Sequence, residues 1–326
     1  MTQRARASGG ELGARLRERD LSAAPATLNL LESRAPDARE QARVLLAELA
    51  PSALGQEAPG HIVGVTGPPG VGKSSLLSRL VAEWRRRDRS VAVLAVDPSS
   101  RRSGGSLLGD RARIDADPRD RRLFIRSTAA GDRLGGLAPA TRSAAAALAV
   151  AFDVVVIETV GVGQSEVEVA DVADTVAVVV QPASGDVLQF LKAGIMEVPD
   201  VLVLTKADLE RAARRALADL QAALSTLGAA DTKLCPVSSV PPPSGIAELA
   251  DALEAHRSAL DLPARRLHAR RRQALDQFAA EHGEHGLRAL GGRLEAQRWL
   301  EHQDPALDAA SLERGLEARA HESESS

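Results

Sequence analysis

The sequence predicts an α/β fold with a mostly parallel central sheet, a helical N-terminal extension and a C-terminal helical arm. Between residues 61 and 239, short valine-rich runs alternate with alanine- and leucine-rich segments. The runs are apolar on both faces, as strands covered by helices on both sides must be. This alternation indicates a three-layer arrangement of helices around one sheet.

The predicted elements follow in order along the chain. Residues 1–58 have apolar positions at three- and four-residue steps, with Pro36 between two helices. Six runs then predict strands: HIVGV, VAVLAV, FDVVVIE, TVAVVV, VLVLT and KLCPVSS. After the turn VPPPSG, the pattern is helical to about residue 320. We expect an extension at 1–58, a sheet domain at 59–255 and an arm and tail at 256–326.

Composition excludes several classes of protein. The net charge of −3 gives no global basic field for nucleic acid or a membrane surface. Cys235 is the one cysteine, so we expect a reducing, cytoplasmic compartment and no cysteine-rich metal site. No apolar run has the length of a signal peptide or a membrane span. The stretch ARRLHARRRQ lacks interleaved aromatic residues, so we predict a solvated helix face rather than a nucleic-acid patch.

A phosphate-binding loop follows the first predicted strand. Residues 67–74, GPPGVGKS, match the pattern G-x-x-x-x-G-K-[ST] between a strand and a helix with an apolar stripe. Backbone N–H groups and the helix N-terminus would surround the phosphates, Lys73 would bridge the β- and γ-phosphates, and Ser74 would bind Mg²⁺. The predicted nucleotide-binding residues of this loop are Gly67, Pro68, Pro69, Gly70, Val71, Gly72, Lys73, Ser74 and Ser75.

A second motif predicts guanine as the base. Thr205, Lys206 and Asp208 lie in TKAD at the end of the strand VLVLT. A buried carboxylate at Asp208 would accept hydrogen bonds from guanine N1–H and the 2-amino group, and adenine offers neither donor. The stem of Lys206 would cover the base, and Ser238 and Ser239 would supply the second base-contacting loop. Thr205 stands where asparagine is usual.

Carboxylates near the same strand ends predict a magnesium site. Glu158 ends the run FDVVVIE, and Asp97 ends VAVLAVD. Hard oxygen ligands suit Mg²⁺. Asp110, in GGSLLGD, is a third candidate, with a surface loop position as the alternative.

The order of these motifs resembles one family. VTGPPGVGKSSL, AVDPSS, GGSLLGDRARI, VVVIETVGVGQSE and SGDVLQFLKAGIMEVPD occur in sequence, and the resemblance covers residues from about 20 to 255. Together they resemble the MeaB/ArgK family, GTPase chaperones of adenosylcobalamin-dependent acyl-CoA mutases. The resemblance implies a P-loop GTPase of the signal-recognition/MinD class with a C-terminal helical dimerisation arm.

The resemblance also implies a function and residue roles. Such a protein binds GTP or GDP with Mg²⁺, gates cobalamin delivery to the mutase and protects the mutase from oxidative inactivation. The residues at family Mg²⁺-site positions are Ser74, Asp97, Asp110 and Glu158. GVGQSE matches the second switch, and a further switch that responds to the partner matches Asp186, Gln189 and Lys192.

Three residues are candidates for catalysis, namely Lys73, Gln164 and Lys192. Gln164 follows a glycine-rich turn and would position water. Lys192 is one of four lysines among 41 basic residues, and we expect it to stabilise phosphate charge when the partner binds; the alternative is a surface cation. Hydrolysis would then be slow in the isolated protein and stimulated by the mutase.

Further expectations concern assembly, loops and rival functions. A partial stripe of Leu287, Leu290, Leu294 and Leu300 predicts a homodimer through the C-terminal helices. The loops near Arg101 and Asp132 depart from the family pattern. A nickel metallochaperone would need histidine or cysteine clusters, whereas the chain has one cysteine and seven dispersed histidines. An ATPase or kinase of basic amino-acid transport is the other alternative, and Asp208 speaks against ATP.

Overall fold

The chain forms two compact units. A computed structural model describes residues 7–97, 114–115, 117, 119–129, 137–159, 168–182 and 199–324. The sheet unit comprises residues 60–145 and 152–260, and the helical unit comprises residues 1–59, 146–151 and 261–326. The sequence-based division at 1–58, 59–255 and 256–326 stays a prediction.

Within the described residues, the sheet unit contains seven strands. They are β1 (His61–Thr66), β2 (Val91–Asp97), β3 (Leu123–Ala129), β4 (Val154–Glu158), β5 (Thr175–Val180), β6 (Val201–Leu204) and β7 (Lys233–Pro236). Their order is β3-β2-β4-β1-β5-β6-β7, and every neighbouring pair is parallel. All strands therefore end at one edge, the carboxyl edge, and begin at the opposite amino edge. The predicted parallel α/β sheet is confirmed.

The sequence missed one strand, β3, for a physical reason. Among the described strands, β3 lies at one end of the sheet, as β7 does at the other, and it pairs with β2. It is half-buried over most of its length and carries Arg126 and Ser127, so its sequence LFIRSTA is not continuously apolar. The buried strands β1, β5 and β6 have no exposed position, which is why their patterns were visible.

Helices surround the sheet and build the helical unit. Those of the described residues are α1 (Gly9–Arg17), α2 (Ala24–Leu31), α3 (Pro36–Glu48), α4 (Pro51–Leu54), α5 (Lys73–Arg86), α6 (Pro139–Ala151), α7 (Glu210–Thr226), α8 (Ile246–Ala259), α9 (Leu262–Ala289), α10 (Arg293–Glu301) and α11 (Ala309–Glu324). None of them is both long and apolar enough to cross a membrane.

Helix α5 begins at Lys73, where the phosphate loop ends. Its predicted apolar stripe is buried in the core of the sheet unit and consists of Leu76, Leu77, Leu80, Val81 and Trp84. Burying each such side chain contributes about 1.5–3 kcal/mol. The stripe therefore fixes the start of α5 against the sheet.

Three aspartates stabilise the amino edge. Asp153, Asp174 and Asp200 directly precede β4, β5 and β6. Each accepts a hydrogen bond from a backbone N–H at the start of a neighbouring strand. The donors are Ser90 (2.7 Å), Ile62 (2.8 Å) and Val176 (2.8 Å), respectively. These carboxylates satisfy N–H groups that would otherwise be unpaired where the ladder begins.

The C-terminal leucines pack inside the chain's own helical unit, which corrects the sequence interpretation. Leu287, Leu290 and Leu300 are buried in a core that joins α9, α10 and α11. Leu294 alone of the predicted stripe is exposed, at 71%. The apolar stripe therefore does not support a dimer interface, and the homodimer stays a prediction.

The arginine-rich stretch of α9 is not a simple solvated face. Arg270 makes a bidentate ion pair with Glu57 at 3.0 and 2.9 Å, and both side chains are mostly buried. Arg266 is buried and donates to the carbonyl of Ala58 at 2.5 Å. The prediction of a solvated face is wrong for these two arginines, because they bind the segment that leads into β1.

Candidate functional site

Glycine is required where β1 turns into the phosphate loop. Gly67 has a φ of 141°, and a Cβ built on it would lie 2.1 Å from the carbonyl oxygen of Val179 in β5. Gly72 caps α5 with a φ of 96°, in the left-handed region. The loop can therefore follow its path against β5 only with glycine at its first position.

Lys73 and the N-terminus of α5 face the same loop. The Lys73 ammonium is nearly buried and donates to the carbonyls of Gly67 and Pro68, the latter at 2.9 Å. No described side chain caps the first turn of α5, and that turn contains no acidic residue. The N–H groups of the turn, with the positive end of the helix dipole, can therefore bind a phosphate.

Two contacts fix the middle of the loop to the sheet. The side chain of Val71 lies in the core of the sheet unit, 2% exposed. The hydroxyl oxygen of Thr205 lies 2.6 Å from the carbonyl oxygen of Val71 and 3.0 Å from that of Val180, and its single proton is shared between these two acceptors. Thr205 thus connects the base motif to the phosphate loop, a role that its hydroxyl fulfils although asparagine is more usual there.

Two of the predicted metal ligands lie together. The Ser74 hydroxyl donates to Glu158 Oε1 at 3.0 Å, and Glu158 is the last residue of β4. Asp97 ends the neighbouring β2, two residues beyond the Ala95–Glu158 register pair, and its side chain lies outside the described part of the structure. Hydroxyl and carboxylate oxygens are ligands that suit Mg²⁺, so this pair fits the ion.

The base motif lies at the end of β6. Ser238 is buried and donates to Asp208 Oδ1 at 2.7 Å, which orients the carboxylate. Asp208 itself is exposed, so the expectation of a buried carboxylate is wrong. Lys206 adopts a left-handed backbone with a φ of 54° and its ammonium donates to Gln181. The motif is therefore pre-oriented but open to solvent.

Two further residues near the site were not foreseen. Arg79, on α5, donates to the carbonyl of Ser239 at 3.3 Å and so connects the phosphate-loop helix with the second base loop. Gln181 follows β5 and binds Lys206. Neither contact has a local sequence signal, because each joins segments that are distant along the chain.

Several predicted site residues lie outside the described residues. They are Asp110, Gln164, Asp186, Gln189 and Lys192, together with the loop positions Arg101 and Asp132. Pro69, Gly70 and Ser75 lie on or beside the phosphate loop as expected from the motif. The roles of all the predicted site residues stay predictions.

Comparison with known proteins identifies a family. The model of the family described as methylmalonyl-CoA mutase-associated GTPase MeaB matches residues 24–287. A Mycobacterium bovis protein named "Probable GTPase" is 42% identical over 255 residues, which cover 76% of this chain and 75% of that protein. A Caenorhabditis briggsae protein named a mitochondrial methylmalonic aciduria type A homolog is 40% identical over 213 residues, covering 62% of this chain and 52% of that protein.

A solved structure agrees with the fold. The crystal structure of a LAO/AO transport system kinase is similar over 98% of both chains, with a TM-score of 0.64 and 26% identity. The parallel sheet, the phosphate loop after β1 and the family match point to the same conclusion. The chain is a P-loop GTPase and belongs to the family of methylmalonyl-CoA mutase-associated GTPases, MeaB.

Proposed function

We propose that the chain is a GTP-controlled gate on an adenosylcobalamin-dependent acyl-CoA mutase. It governs cobalamin loading and protects the mutase from oxidative inactivation. The family match carries this proposal, because the description of the family names association with methylmalonyl-CoA mutase. Two Caenorhabditis relatives named for methylmalonic aciduria support the same partner. Methylmalonyl-CoA mutase is therefore the first partner to test.

Asp208 is proposed to select guanine. Its carboxylate, oriented by the Ser238 hydroxyl, has lone pairs left for guanine N1–H and the 2-amino group. Adenine would leave this carboxylate without those donors. Since Asp208 is exposed, the cost of an unpaired carboxylate arises only when a base covers it, so discrimination develops on binding.

Lys73, Ser74 and the start of α5 are proposed to bind the phosphates. Lys73 would exchange its contacts with loop carbonyls for contacts with β- and γ-phosphate oxygens. Ser74, Glu158 and Asp97, with Asp110, would hold Mg²⁺. A bound Mg²⁺ would supply a divalent charge that neutralises phosphate oxygens. The N–H groups at the start of α5 add a partial positive charge at the same place.

Control of hydrolysis is proposed to depend on two side chains, those of Gln164 and Lys192. Gln164 would orient the attacking water, and Lys192 would approach the phosphates when the mutase binds. A cation supplied in this way accelerates other GTPases by about 10³–10⁵-fold. We expect a smaller effect from Lys192, since an ammonium binds less specifically than a guanidinium fork.

The decisive experiment measures GTP turnover with and without methylmalonyl-CoA mutase, in wild type and Lys192→Ala. We expect slow turnover alone, stimulation by the mutase, and loss of that stimulation in the variant with an unchanged basal rate. No stimulation of the wild type by any cobalamin-dependent mutase would contradict the gate. Full stimulation of Lys192→Ala would remove this lysine from the mechanism.

Two further proposals concern assembly and the rival function. A homodimer through the C-terminal helices would give about twice the chain mass of 34.2 kDa in light scattering. The rival function is that of an ATPase or kinase linked to basic amino-acid transport, as the name of the similar LAO/AO transport system kinase suggests. ATP binding as tight as GTP binding would favour that alternative over the GTP-controlled gate.

A further inference from the structure

Two buried threonine hydroxyls connect the phosphate loop to the strand that ends in Glu158. Thr66 is the last residue of β1 and directly precedes Gly67, whereas Thr159 directly follows Glu158. The Thr159 hydroxyl donates to the Thr66 hydroxyl oxygen at 2.7 Å. Both residues are 1% exposed. The contact is therefore shielded from water and joins the two segments that would hold phosphate and metal.

The side-chain bond adds something that the backbone does not provide. The N–H of Thr159 also donates to the carbonyl of Val65 at 3.0 Å, which continues the parallel ladder between β1 and β4. Almost any residue could make that backbone bond. Only a hydroxyl residue can make the second, directional bond to Thr66, so the side chain fixes Thr159 to two consecutive residues of β1.

These contacts close a ring around the phosphate loop. The chain runs from Thr66 through the loop to Ser74, the Ser74 hydroxyl binds Glu158 at 3.0 Å, and Glu158 is covalently joined to Thr159. The Thr159–Thr66 bond completes the ring. Both ends of the phosphate loop are thus held by one dipeptide, Glu158–Thr159.

We propose that Thr159 is a positioning residue for GTP hydrolysis. Its hydroxyl bond to Thr66 fixes the end of β4, so that Glu158 and Ser74 are held in register with the phosphates. The inference rests on the GTPase activity and on the proposed magnesium role of Glu158 and Ser74. It does not depend on the mutase, so the two proposals can fail separately.

The test removes the hydroxyl while keeping the β-branched shape. Thr159→Val loses the donor, Thr66→Val removes the same bond from the other side, and Thr159→Ser keeps the hydroxyl. Each full-length variant is assayed for kcat, for the KM of GTP at saturating Mg²⁺, for the Mg²⁺ concentration that gives half-maximal turnover, and for thermal unfolding.

The chain offers a matched control in a second buried threonine pair. The Thr141 hydroxyl donates to that of Thr128 at 3.2 Å, and these residues are 1% and 3% exposed. Thr128 lies in β3, opposite Val96 of β2, and Thr141 lies in α6, so neither threonine belongs to the ring that contains the phosphate loop. Thr141→Val therefore makes the same chemical change in the same unit without altering a member of that ring.

The proposal predicts a kinetic effect beyond lost stability. Because small displacements of reacting groups cost large factors in rate, we expect Thr159→Val and Thr66→Val to lower kcat about tenfold and to raise the half-maximal Mg²⁺ concentration about tenfold. The KM of GTP at saturating Mg²⁺ should change by less than about twofold. Thr159→Ser and Thr141→Val should both keep kcat and the half-maximal Mg²⁺ concentration at wild-type values.

The opposite results would overturn the proposal. Thr159→Val with wild-type kcat and Mg²⁺ dependence would do so, as would kinetic changes in Thr141→Val equal to those in Thr159→Val. If Thr159→Val does not fold, Thr66→Val and Thr159→Ser decide the question by the same criteria. Loss of mutase stimulation in an otherwise wild-type protein would contradict the gate and leave this inference standing.

Discussion

The two edges of the same parallel sheet use carboxylates differently. At the amino edge, Asp153, Asp174 and Asp200 each accept a hydrogen bond from a backbone N–H of a neighbouring strand, and Asp153 also accepts one from the Ser90 hydroxyl. At the carboxyl edge, Glu158 and Asp208 each accept a bond from a serine hydroxyl. Both sets follow or precede buried strands, and their residue types are nearly the same. All three amino-edge carboxylates bind a backbone N–H at the start of a strand, and both carboxyl-edge carboxylates bind a serine hydroxyl.

We propose that this difference separates structural polar groups from ligand-binding ones. A backbone N–H at the start of a strand has one fixed direction and needs an acceptor, so the aspartate that binds it is part of the fold. A serine hydroxyl can rotate and leaves the carboxylate further lone pairs, so the same group can orient a ligand-binding carboxylate. Ligands of open α/β sheets bind beyond the carboxyl ends of the strands, which agrees with this division.

Among the substitutions, Lys73→Ala should have the largest effect on GTP hydrolysis. It should impair the function of the carboxyl edge without destabilising the sheet. We expect GTP hydrolysis to fall by about 10²–10³-fold, because a cation that binds the phosphates is removed. Thermal unfolding should change little, since the hydrogen bonds that the ammonium donates to the carbonyls of Gly67 and Pro68 are offset by the cost of burying its charge. Unchanged turnover, or global unfolding of the variant, would contradict the separation of function from stability at this edge.

A carboxylate in the helical unit sharpens the comparison, because its neighbours are themselves acidic. The pKa of Glu313 is raised to about 7 by burial of the carboxyl group and by the neighbouring charges of Glu317 and Glu281. Arg43 lowers this pKa only in part. The carboxylate oxygens of the three glutamates can lie within 4.8 Å of one another. Ionisation of Glu313 therefore opposes folding, whereas the amino-edge carboxylates support it by binding N–H groups.

The resulting pH dependence has a definite sign. Since the pKa of Glu313 is raised in the fold from 4.5 to about 7, its contribution to stability is present below pH 4.5 and is lost as pH rises through about 7. Between pH 5 and pH 8, the free energy of unfolding of Glu313→Gln should exceed that of wild type by about 1–2 kcal/mol, as measured by urea unfolding. Glu284→Gln, an exposed change on α9, should gain nothing. Equal pH profiles of wild type and Glu313→Gln would reject this account.

The sequence predicted those features that depend on local patterns. GPPGVGKS identified the phosphate loop because glycine, lysine and serine are required at fixed spacing, and buried strands were visible as continuous apolar runs. The strand β3 was missed because it is half-buried over most of its length and carries Arg126 and Ser127, so its pattern is mixed. The three amino-edge aspartates were visible in DVVVIE, DTVAVVV and DVLVLT, but their significance needed the register of the strands.

Burial and long-range contacts could not be predicted from the same patterns. The strand end at Asp208 indicated a buried carboxylate, whereas the residue lies beyond the sheet and is exposed. The sequence showed a stripe of Leu287, Leu290 and Leu300 that either a partner chain or the chain's own helices could cover. In the structure, these leucines pack in one core with residues of α11. The Thr66–Thr159 bond joins residues 93 positions apart, so no local spacing indicates it.

The same substitution at the two edges tests the central claim most directly. Asp208→Asn and Asp174→Asn are compared by titration calorimetry with GDP and xanthosine diphosphate, and by thermal unfolding. Asp208→Asn should weaken GDP binding by at least about 10²-fold and shift preference toward the xanthine nucleotide, with unfolding nearly unchanged. Asp174→Asn should lower the unfolding temperature, because the buried carboxylate that binds the Ile62 N–H is lost, and should keep the preference for GDP. A guanine preference retained in Asp208→Asn, or altered in Asp174→Asn, would contradict the assignment of function to the carboxyl edge.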